Sequence, residues 1–408
     1  MNILYLCHRF PYPPVRGGKI RPFNMIRHLA QRHAVTVCSL ARSDIEAAAA
    51  EGIRPHCSRH YVHRVSEPVQ SARMVTRLFT PTPSSMGYFY SAAMDRCVQD
   101  LLAGERFDLV FVHCSSVAQY VSHHDAIPKI LDFGDMDSQK WLEYARYKPM
   151  PLSLGYRLEG LKLQAAERRL ARRFDLCTAT TRAELATLED YGTGAACDWF
   201  PNGVDSTYFS PSAEPYDPDT IAFVGRMDYY PNQECMLEFC ATTLPLLRAR
   251  RPAIKLAIVG AEPSRAIRAL GDLPGVTVTG SVPDVRPFVR RAAVMVAPLN
   301  IARGTQNKIL ESMAMGVPVV TSAVAAGGVD AEPGRHLRVA RTPDEYATAL
   351  LDLLEHPEER ARLAEAGRAR VLSHHAWPSS MGRLDGLIAR CFDEFARRRG
   401  MPLAAPAR

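Results

Sequence analysis

The chain has 408 residues, a length that exceeds the usual size of one hydrophobic core. Of these residues 47% are hydrophobic and 23% charged, and this composition excludes a disordered protein. Its formal net charge of +7 is too mild to indicate a nucleic-acid partner. The ten cysteines occur singly, with no CxxC pair and no His/Cys cluster at metal-ligand spacing, which predicts reduced thiols in a cytoplasmic protein without a metal site.

The first half of the chain alternates short apolar runs with helical segments, which predicts a doubly wound α/β domain. Its first strand is predicted at residues 3–6, and a proline-rich loop then leads to Gly17 and Gly18 at the start of a helix. Two glycines at such a turn let a ligand approach free backbone N–H groups. They also suit an ordinary turn, so the pair alone indicates little.

Polar residues follow the two buried strands predicted at 109–113 and 129–133. His113 ends the first of these strands and is a candidate to contact substrate, although a partly buried structural histidine fits equally well. After the second strand, Asp135 is interpreted as a group that positions a hydroxyl or acts as a base. Asp137 and Ser138 are interpreted as caps of the next helix.

A long helix is predicted over residues 153–173. From Arg157 onward it carries six basic residues against two glutamates, beside an apolar stripe of leucines. A solvated charged face is one interpretation. The other is contact with an anionic membrane surface or a lipid-linked phosphate.

The run Trp199 to Asp205 contains an Asn-Gly turn, and a stretch rich in proline and acidic residues follows it. This pattern predicts a linker and a second domain, whose first strand leads to Arg226. A basic residue at the carboxyl end of a strand is well placed to bind phosphate. The predicted domains are therefore 1–205 and 206–378, with a C-terminal helix at 379–408 that returns to the first domain.

The segment 298–320 is predicted as strand, glycine-bearing loop, helix and strand. Arg303, Gly304, Thr305 and Lys308 supply a flexible turn, donors and positive charge beside a helix N-terminus, which favours anions. Glu311 lies three residues after Lys308 on the same helix face and could accept hydrogen bonds from a sugar diol. A surface Lys–Glu pair on an ordinary helix is the simpler alternative.

Four motifs in order resemble glycosyltransferase family 4, the retaining enzymes with the two-domain GT-B fold. They are Gly17-Gly18, the run from Pro201 to Asp205, Val224-Gly225-Arg226 and the run from Ile309 to Val320. A finer similarity, to a bacterial exopolysaccharide subgroup associated with exosortase systems, comes from Asp135 to Ser138, Met227 to Tyr229, and Pro231-Asn232.

The resemblance implies a nucleoside diphosphate sugar as co-substrate, bound in an interdomain cleft with no further cofactor and no metal. Glu311 is then expected to bind the ribose hydroxyls, Arg226 the diphosphate, and the Gly18 backbone N–H the phosphates. The expected catalytic residues are Arg226, Lys308 and Asp135. The expected substrate-binding residues are Gly17, Gly18, His113, Arg303, Gly304, Thr305, Leu310 and Glu311.

Three positions depart from the family pattern. Arg303 stands where the family usually has an acidic residue that contacts the donor sugar, and Asn232 stands where a lysine is common. The frequent histidine after the fifth strand is absent, because Gly134 or Asp135 falls there. Lys308, one helical turn before Glu311, is predicted to substitute for the missing lysine.

The predicted function is retaining transfer of a sugar to a glycan or lipid-linked acceptor in polysaccharide biosynthesis. The protein is expected in the cytoplasm, with peripheral contact at the inner face of the membrane and without nucleic acid. Two alternatives stay open at this point: a nucleotide-sugar epimerase that uses the aspartates at 132, 135 and 137, and a non-catalytic module that binds nucleotide sugar or glycan.

Overall fold

The computed structural model describes residues 1–14, 17–78 and 80–402. The chain divides into two compact units, of which unit 1 comprises Met1–Phe200 with Met381–Arg408, and unit 2 comprises Pro201–Ser380. The last part of the predicted terminal segment, 403–408, lies outside the described residues.

Unit 1 is a parallel seven-stranded sheet with helices between its strands, and the strand order is β3-β2-β1-β4-β5-β6-β7. Its strands are β1 (Asn2–Cys7), β2 (Ala34–Ala41), β3 (Arg59–Arg64), β4 (Leu109–His113), β5 (Lys129–Gly134), β6 (Leu176–Ala179) and β7 (Cys197–Trp199). Its helices are α1 (Gly17–Leu29), α2 (Asp44–Ala48), α3 (Glu67–Arg77), α4 (Ser84–Tyr88), α5 (Ala92–Gly104), α6 (Asp137–Tyr147), α7 (Leu152–Ala171) and α8 (Arg182–Glu189), with 3₁₀ turns at Ala49–His56 and Ser115–Tyr120.

Unit 2 is a parallel six-stranded sheet in the order β10-β9-β8-β11-β12-β13. Its strands are β8 (Asp217–Val224), β9 (Lys255–Val259), β10 (Val276–Val278), β11 (Ala292–Ala297), β12 (Val319–Thr321) and β13 (Arg338–Val339). Its helices are α9 (Tyr230–Arg250), α10 (Arg265–Ala269), α11 (Arg286–Arg290), α12 (Asn307–Ala314), α13 (Ala323–Ala326), α14 (Pro343–Glu355) and α15 (Pro357–His374), and a 3₁₀ turn spans Leu270–Asp272. The final helix, α16 (Trp377–Arg398), lies in unit 1 from Met381 onward.

The central strands of both sheets are buried on both faces, which is why they consist of continuous apolar runs. In each sheet the chain order reverses between two neighbouring strands, β1 and β4 in unit 1 and β8 and β11 in unit 2. Open parallel sheets bind ligands outside the carboxyl ends of such strand pairs. Each unit therefore has one edge at which polar residues after the strands converge.

The predicted strands at 109–113 and 129–133 are confirmed by β4 and β5. Two helices, α14 and α15, occupy residues 343–374 with His356 between them. Pro357 begins the second helix, since it lacks the N–H that a continuous helix would require there.

Candidate functional site

In unit 2, the site is built at the carboxyl ends of β8 and β11. Arg226 follows β8 after one glycine, and α12 begins after the loop that leaves β11. Since β8 and β11 pair directly, both segments start from the same edge of the sheet. The strand order thus brings Arg226 and the first turns of α12 to the edge where ligands are expected.

Two carboxylates bind the Arg226 guanidinium. Its Nε and Nη2 donate to the Asp228 carboxylate at 3.0 and 2.7 Å, and Nη2 also donates to Glu262. The hydrogen bonds with Asp228 raise the pKa of Arg226 and lower the pKa of Asp228. The Arg226 side chain is 36% exposed, so an anion can reach it in competition with these carboxylates.

Lys308, in the first turn of α12, donates from Nζ to the Asn232 Oδ1 at 2.6 Å. The same ammonium lies 4.3 Å from the centroid of the Phe223 ring. Asn232 donates in turn from Nδ2 to the Arg226 carbonyl at 2.8 Å, so the amide joins α12 to the end of β8. Burial lowers the pKa of Lys308 to about 8, although Cys235 and Glu311 oppose this shift.

This junction requires glycine at position 225. A Cβ built on Gly225 would lie 2.6 Å from the Asn232 Nδ2 and 3.1 Å from the Lys308 Nζ. The neighbouring Gly260 is equally constrained, because its Cβ would lie 1.8 Å from the Gly225 carbonyl oxygen. Gly225 lets the lysine and the asparagine approach the end of β8 closely, and Gly260 lets the end of β9 pack against the Gly225 backbone.

Glu311 lies one helical turn beyond Lys308 and is half-buried. Burial raises the pKa of its carboxyl to about 7, and the Lys308 charge opposes this shift. Within the described part of the chain, no group donates a hydrogen bond to this carboxylate. A half-buried acceptor of this kind can bind hydroxyl donors from a ligand.

The loop before α12 and α12 itself contain the other residues of unit 2 that are predicted to bind substrate. Gly304 adopts a φ of 61°, which favours glycine, and Arg303 and Thr305 beside it are half-buried. The Gln306 side chain donates to the Arg303 carbonyl at 3.0 Å. Leu310 differs from them, because its side chain is fully buried in the core of unit 2, and its predicted contact with substrate stays a prediction.

In unit 1, Gly17 and Gly18 form the start of α1 and are exposed. A Cβ on Gly18 would have only the Arg9 Cδ within reach, at 4.0 Å. The packing of the described residues therefore does not require glycine at this position. Its predicted role, to leave room for a ligand against the backbone, stays a prediction.

Asp132, on β5, is fully buried among polar partners. Arg21 donates to both of its oxygens at 2.9 Å, the His113 Nδ1 lies 2.8 Å from Oδ2, and the Thr178 hydroxyl donates at 2.9 Å. Burial alone would raise the pKa of Asp132, but Arg21 and His113 keep it well below its usual range. His113 is thus a buried, oriented ring, and Asp132 is part of the scaffold that orients it.

The two other aspartates after β5 differ in their surroundings. Asp135 is exposed and accepts a hydrogen bond from the Thr180 hydroxyl at 3.0 Å. Burial raises the pKa of Asp137, which is the first residue of α6. The capping role predicted for Asp137 and Ser138 is wrong: Met136 is the N-cap, and the Ser138 hydroxyl donates to Glu167 at 2.5 Å.

Sequence reasoning missed three residues at these edges. Asp228 and Glu262 bind Arg226, and a signal for the first was its position two residues after Arg226. His8 follows β1, and its ring centroid lies 5.9 Å from that of His113. The His8 Nδ1 is buried with no hydrogen-bond partner among the described residues, and burial lowers the pKa of the ring well below its usual value.

The described residues hold neither a metal-ligand cluster nor a membrane-spanning helix. They contain no group of three His, Cys, Asp or Glu side chains that could bind a metal ion. Across the same residues, no helix combines the length and apolar character needed to cross a bilayer.

Similar proteins supply independent information on the family. The D-inositol 3-phosphate glycosyltransferase of Thermobifida fusca is 27% identical over 316 residues, which cover 70% of this chain and 69% of that protein. The GDP-mannose-dependent alpha-(1-6)-phosphatidylinositol monomannoside mannosyltransferase of Mycolicibacterium smegmatis is 28% identical over 254 residues, or 55% of this chain and 65% of that protein. The matches thus span about two thirds of the length of each of these relatives.

Solved structures show the same architecture. Sucrose-phosphate synthase from Thermosynechococcus elongatus matches with a TM-score of 0.70 at 17% identity, over 96% of this chain and 99% of that chain. Anabaena HepE in complex with UDP matches with a TM-score of 0.67 at 14% identity, over 95% and 100%. At these identities the likeness shows the fold alone, which is the two-domain α/β GT-B fold.

Family models match both halves of the chain. The model described as Glycosyltransferase Family 4 matches residues 15–208, and the model described as Glycosyl transferases group 1 matches residues 218–356. Together they cover the two edges at which the polar residues converge. The chain therefore belongs to glycosyltransferase family 4 and is an enzyme that transfers sugar.

Proposed function

We propose that this enzyme transfers a sugar from a nucleoside diphosphate donor to a hydroxyl of a glycan or lipid-linked acceptor, with retention of the anomeric configuration. The observation that carries the proposal is the arrangement at the start of α12. Lys308 and Glu311 offer a cation and a carboxylate one turn apart, and Asn232 joins Lys308 to the backbone of Arg226. A nucleoside diphosphate presents the complementary groups, anionic phosphates and ribose hydroxyls.

The donor diphosphate would lie between Arg226 and Lys308, beside the N-terminus of α12. Arg226 can make two parallel hydrogen bonds to phosphate oxygens, whereas Lys308 acts as a point charge. Binding there requires the phosphate to replace Asp228 and Glu262 as partners of the guanidinium. Glu311, ionised, would accept hydrogen bonds from the ribose diol.

Sugar transfer breaks the bond between the anomeric carbon and the β-phosphate oxygen and forms a bond from that carbon to the acceptor oxygen. In front-face attack, a phosphate oxygen of the leaving group takes the acceptor proton, so atoms and charges balance without a protein base. Arg226 and Lys308 would stabilise the negative charge that develops on the diphosphate. Asp135, exposed at the end of β5, would orient an acceptor hydroxyl.

The names of the relatives support a proposal for the chemical class of the acceptor. Their names specify an inositol phosphate and a phosphatidylinositol mannoside, both of which carry phosphate. We infer an acceptor with a phosphate or lipid phosphate near the reacting hydroxyl, in the assembly of a polysaccharide or glycolipid. The reaction would use no metal and no cofactor besides the donor.

The epimerase alternative loses Asp132 as an available acid or base. The Asp132 carboxylate already accepts hydrogen bonds from Arg21 and Thr178 and contacts His113, so it is engaged within unit 1. A ring epimerase needs carboxylates available to a sugar. The non-catalytic alternative is disfavoured because Arg226, Lys308 and Glu311 are all present.

The test is a thermal-shift panel of UDP, GDP, ADP, dTDP and their sugars, without added metal and with EDTA. A ligand that binds the folded state alone raises the melting temperature. We expect one nucleotide class to raise it for the wild type and for the control Glu365→Ala, an exposed glutamate on α15, but not for Glu311→Ala. Equal shifts in both variants would remove Glu311 from the donor site.

A further inference from the structure

The hairpin formed by α6 and α7 exposes an unusual concentration of large apolar side chains. They occur within a short stretch around the tip and the first half of α7, where water would normally select polar residues. The exposed fractions are 43% for Tyr147, 71% for Met150, 50% for Leu152, 59% for Leu154, 43% for Leu158 and 49% for Leu161.

Three of these leucines form a stripe along α7. Leu154, Leu158 and Leu161 recur at the i, i+4, i+7 spacing of one helix face. The opposite face packs into unit 1, where a Cβ on Gly160 would lie 2.7 Å from the Leu142 side chain of α6. This close packing fixes the rotation of α7, so the leucine stripe is held outward.

The exposed charges around the stripe have one sign, and Glu143 of α6 is half-buried. Every exposed charged side chain between positions 138 and 174 is an arginine: Arg146, Arg157, Arg168, Arg169, Arg172 and Arg173. The two glutamates of α7 point inward. Glu159 accepts hydrogen bonds from the backbone N–H groups of Ser84 and Ser85, and Glu167 accepts one from that of Ser138.

We propose that this face, the α6–α7 docking face, binds the surface of an anionic lipid bilayer. The apolar side chains would enter the boundary between headgroups and acyl chains, and the arginines would contact lipid phosphates. A second copy of the chain fits less well, because a symmetric dimer through this face would bring the arginines of both copies together.

The inference goes beyond sugar transfer and does not depend on it. Membrane binding at this face would affect where the acceptor lies, because α6 starts directly after the end of β5 at which Asp135 lies. A bilayer bound to the hairpin would bring a lipid-linked acceptor close to the acceptor side of unit 1. The docking face would then raise the local concentration of such acceptors without touching the reacting atoms.

The experiment measures binding of the full chain to phosphatidylglycerol and phosphatidylcholine vesicles by cosedimentation, at low and high salt. We expect the wild type to bind phosphatidylglycerol vesicles, with weaker binding to phosphatidylcholine and at high salt. The triple variant Leu154→Ser, Leu158→Ser and Leu161→Ser should bind on the order of tenfold or more weakly. The control Ile45→Ser, which replaces an 83% exposed side chain on α2, should bind like the wild type.

A second variant, Met150→Ser with Leu152→Ser, tests the tip alone and decides the question if the triple variant does not fold. Thermal melting without lipid checks the folding of each variant. Absence of wild-type binding to phosphatidylglycerol, or equal binding by folded variants and the wild type, would overturn the proposal. So would a dimer in sedimentation velocity that the triple variant abolishes, because the face would then be an interface between copies.

Discussion

The Lys308 Nζ donates to the Asn232 Oδ1 at 2.6 Å, so an ammonium from α12 lies against the position where the family commonly carries a lysine on α9. The cation reaches this place from a different element. The same asparagine donates to the Arg226 carbonyl at 2.8 Å. With asparagine in place of lysine at position 232, the cation is therefore still linked to the end of β8. We infer that Lys308 supplies the positive charge of the missing lysine.

Arg226 is predicted to be the largest single contributor to donor turnover in unit 2. Replacement with alanine should lower kcat/KM by about 100-fold or more, because it removes a charge that stabilises the leaving diphosphate. The melting temperature should change little, since the ion pairs of Arg226 are partly exposed. Steady-state release of nucleoside diphosphate measures the effect.

The matched control for that variant is Arg335→Ala, which removes an exposed arginine of unit 2 paired with Glu332. It should keep wild-type turnover. A kcat/KM of Arg226→Ala within threefold of the wild type would contradict the role of Arg226.

The pH dependence of kcat/KM should be bell-shaped. The pKa of Glu311 is raised to about 7, so its carboxylate ionises and can accept ribose hydroxyls as the pH rises through that value. The pKa of Lys308 is lowered to about 8, so its charge is lost above that value. Activity should therefore peak between these two values and fall on either side.

Lys308→Arg provides the diagnostic comparison, because a guanidinium stays protonated throughout this range. The alkaline limb should disappear in this variant while the acid limb remains. Persistence of the alkaline limb would assign it to another group.

The ionised form of Glu311, which its proposed role in donor binding requires, should lower the free energy of unfolding. Its folded pKa of about 7 lies above the ordinary glutamate value of 4.5, so ionisation is less favourable in the folded state than in the unfolded chain. That cost is small below the unfolded pKa and is fully present above the folded one. Glu311→Gln should therefore melt about 2–4 °C higher than the wild type at pH 8, equivalent to about 1 kcal/mol.

The increase in melting temperature of Glu311→Gln should shrink as the pH is lowered from 8 towards 5. Differential scanning calorimetry at both pH values measures it. Glu365→Gln, an exposed change on α15, should show no such pH dependence. A Glu311→Gln protein less stable than the wild type at pH 8 would show that the carboxylate stabilises the fold.

Gly225→Ala should disturb the junction between Asn232 and Lys308. The added Cβ would lie 2.6 Å from the Asn232 Nδ2, so the amide must move away from the Arg226 carbonyl. We expect a lower kcat/KM, by about tenfold or more, with a modest fall in melting temperature. Gly271→Ala is the control, because its Cβ would have its nearest neighbour, the Val278 Cγ2, at 3.8 Å.

Local patterns predicted much of the fold. The buried strands β4 and β9 are continuous apolar runs, and the α/β alternation indicated two parallel sheets. Sequence motifs also singled out Arg226, just after a strand, and Glu311, on the helix that follows another strand, and their roles stay predictions. These features depend on neighbouring residues, which a single sequence displays directly.

Contacts between distant parts of the chain could not be predicted in this way. Ser138 looks like a helix cap, yet its hydroxyl donates to Glu167 on α7. Asp132 looks like a candidate acid or base, yet Arg21, more than a hundred positions earlier, donates to both of its oxygens. Leu310 sits in the family motif but packs in the core, because its helix face points inward.

The most direct test of the account is a rescue experiment at the lysine site, with kcat/KM for the donor measured in Lys308→Ala and in the double variant Asn232→Lys, Lys308→Ala. The kcat/KM of Lys308→Ala should be about 100-fold lower than that of the wild type. The kcat/KM of the double variant should be tenfold or more higher than that of Lys308→Ala, because a lysine on α9 returns the cation to the same place. Lys255→Ala, an exposed lysine of unit 2, should behave like the wild type. Unchanged turnover in Lys308→Ala would contradict the claim that Lys308 supplies the missing charge.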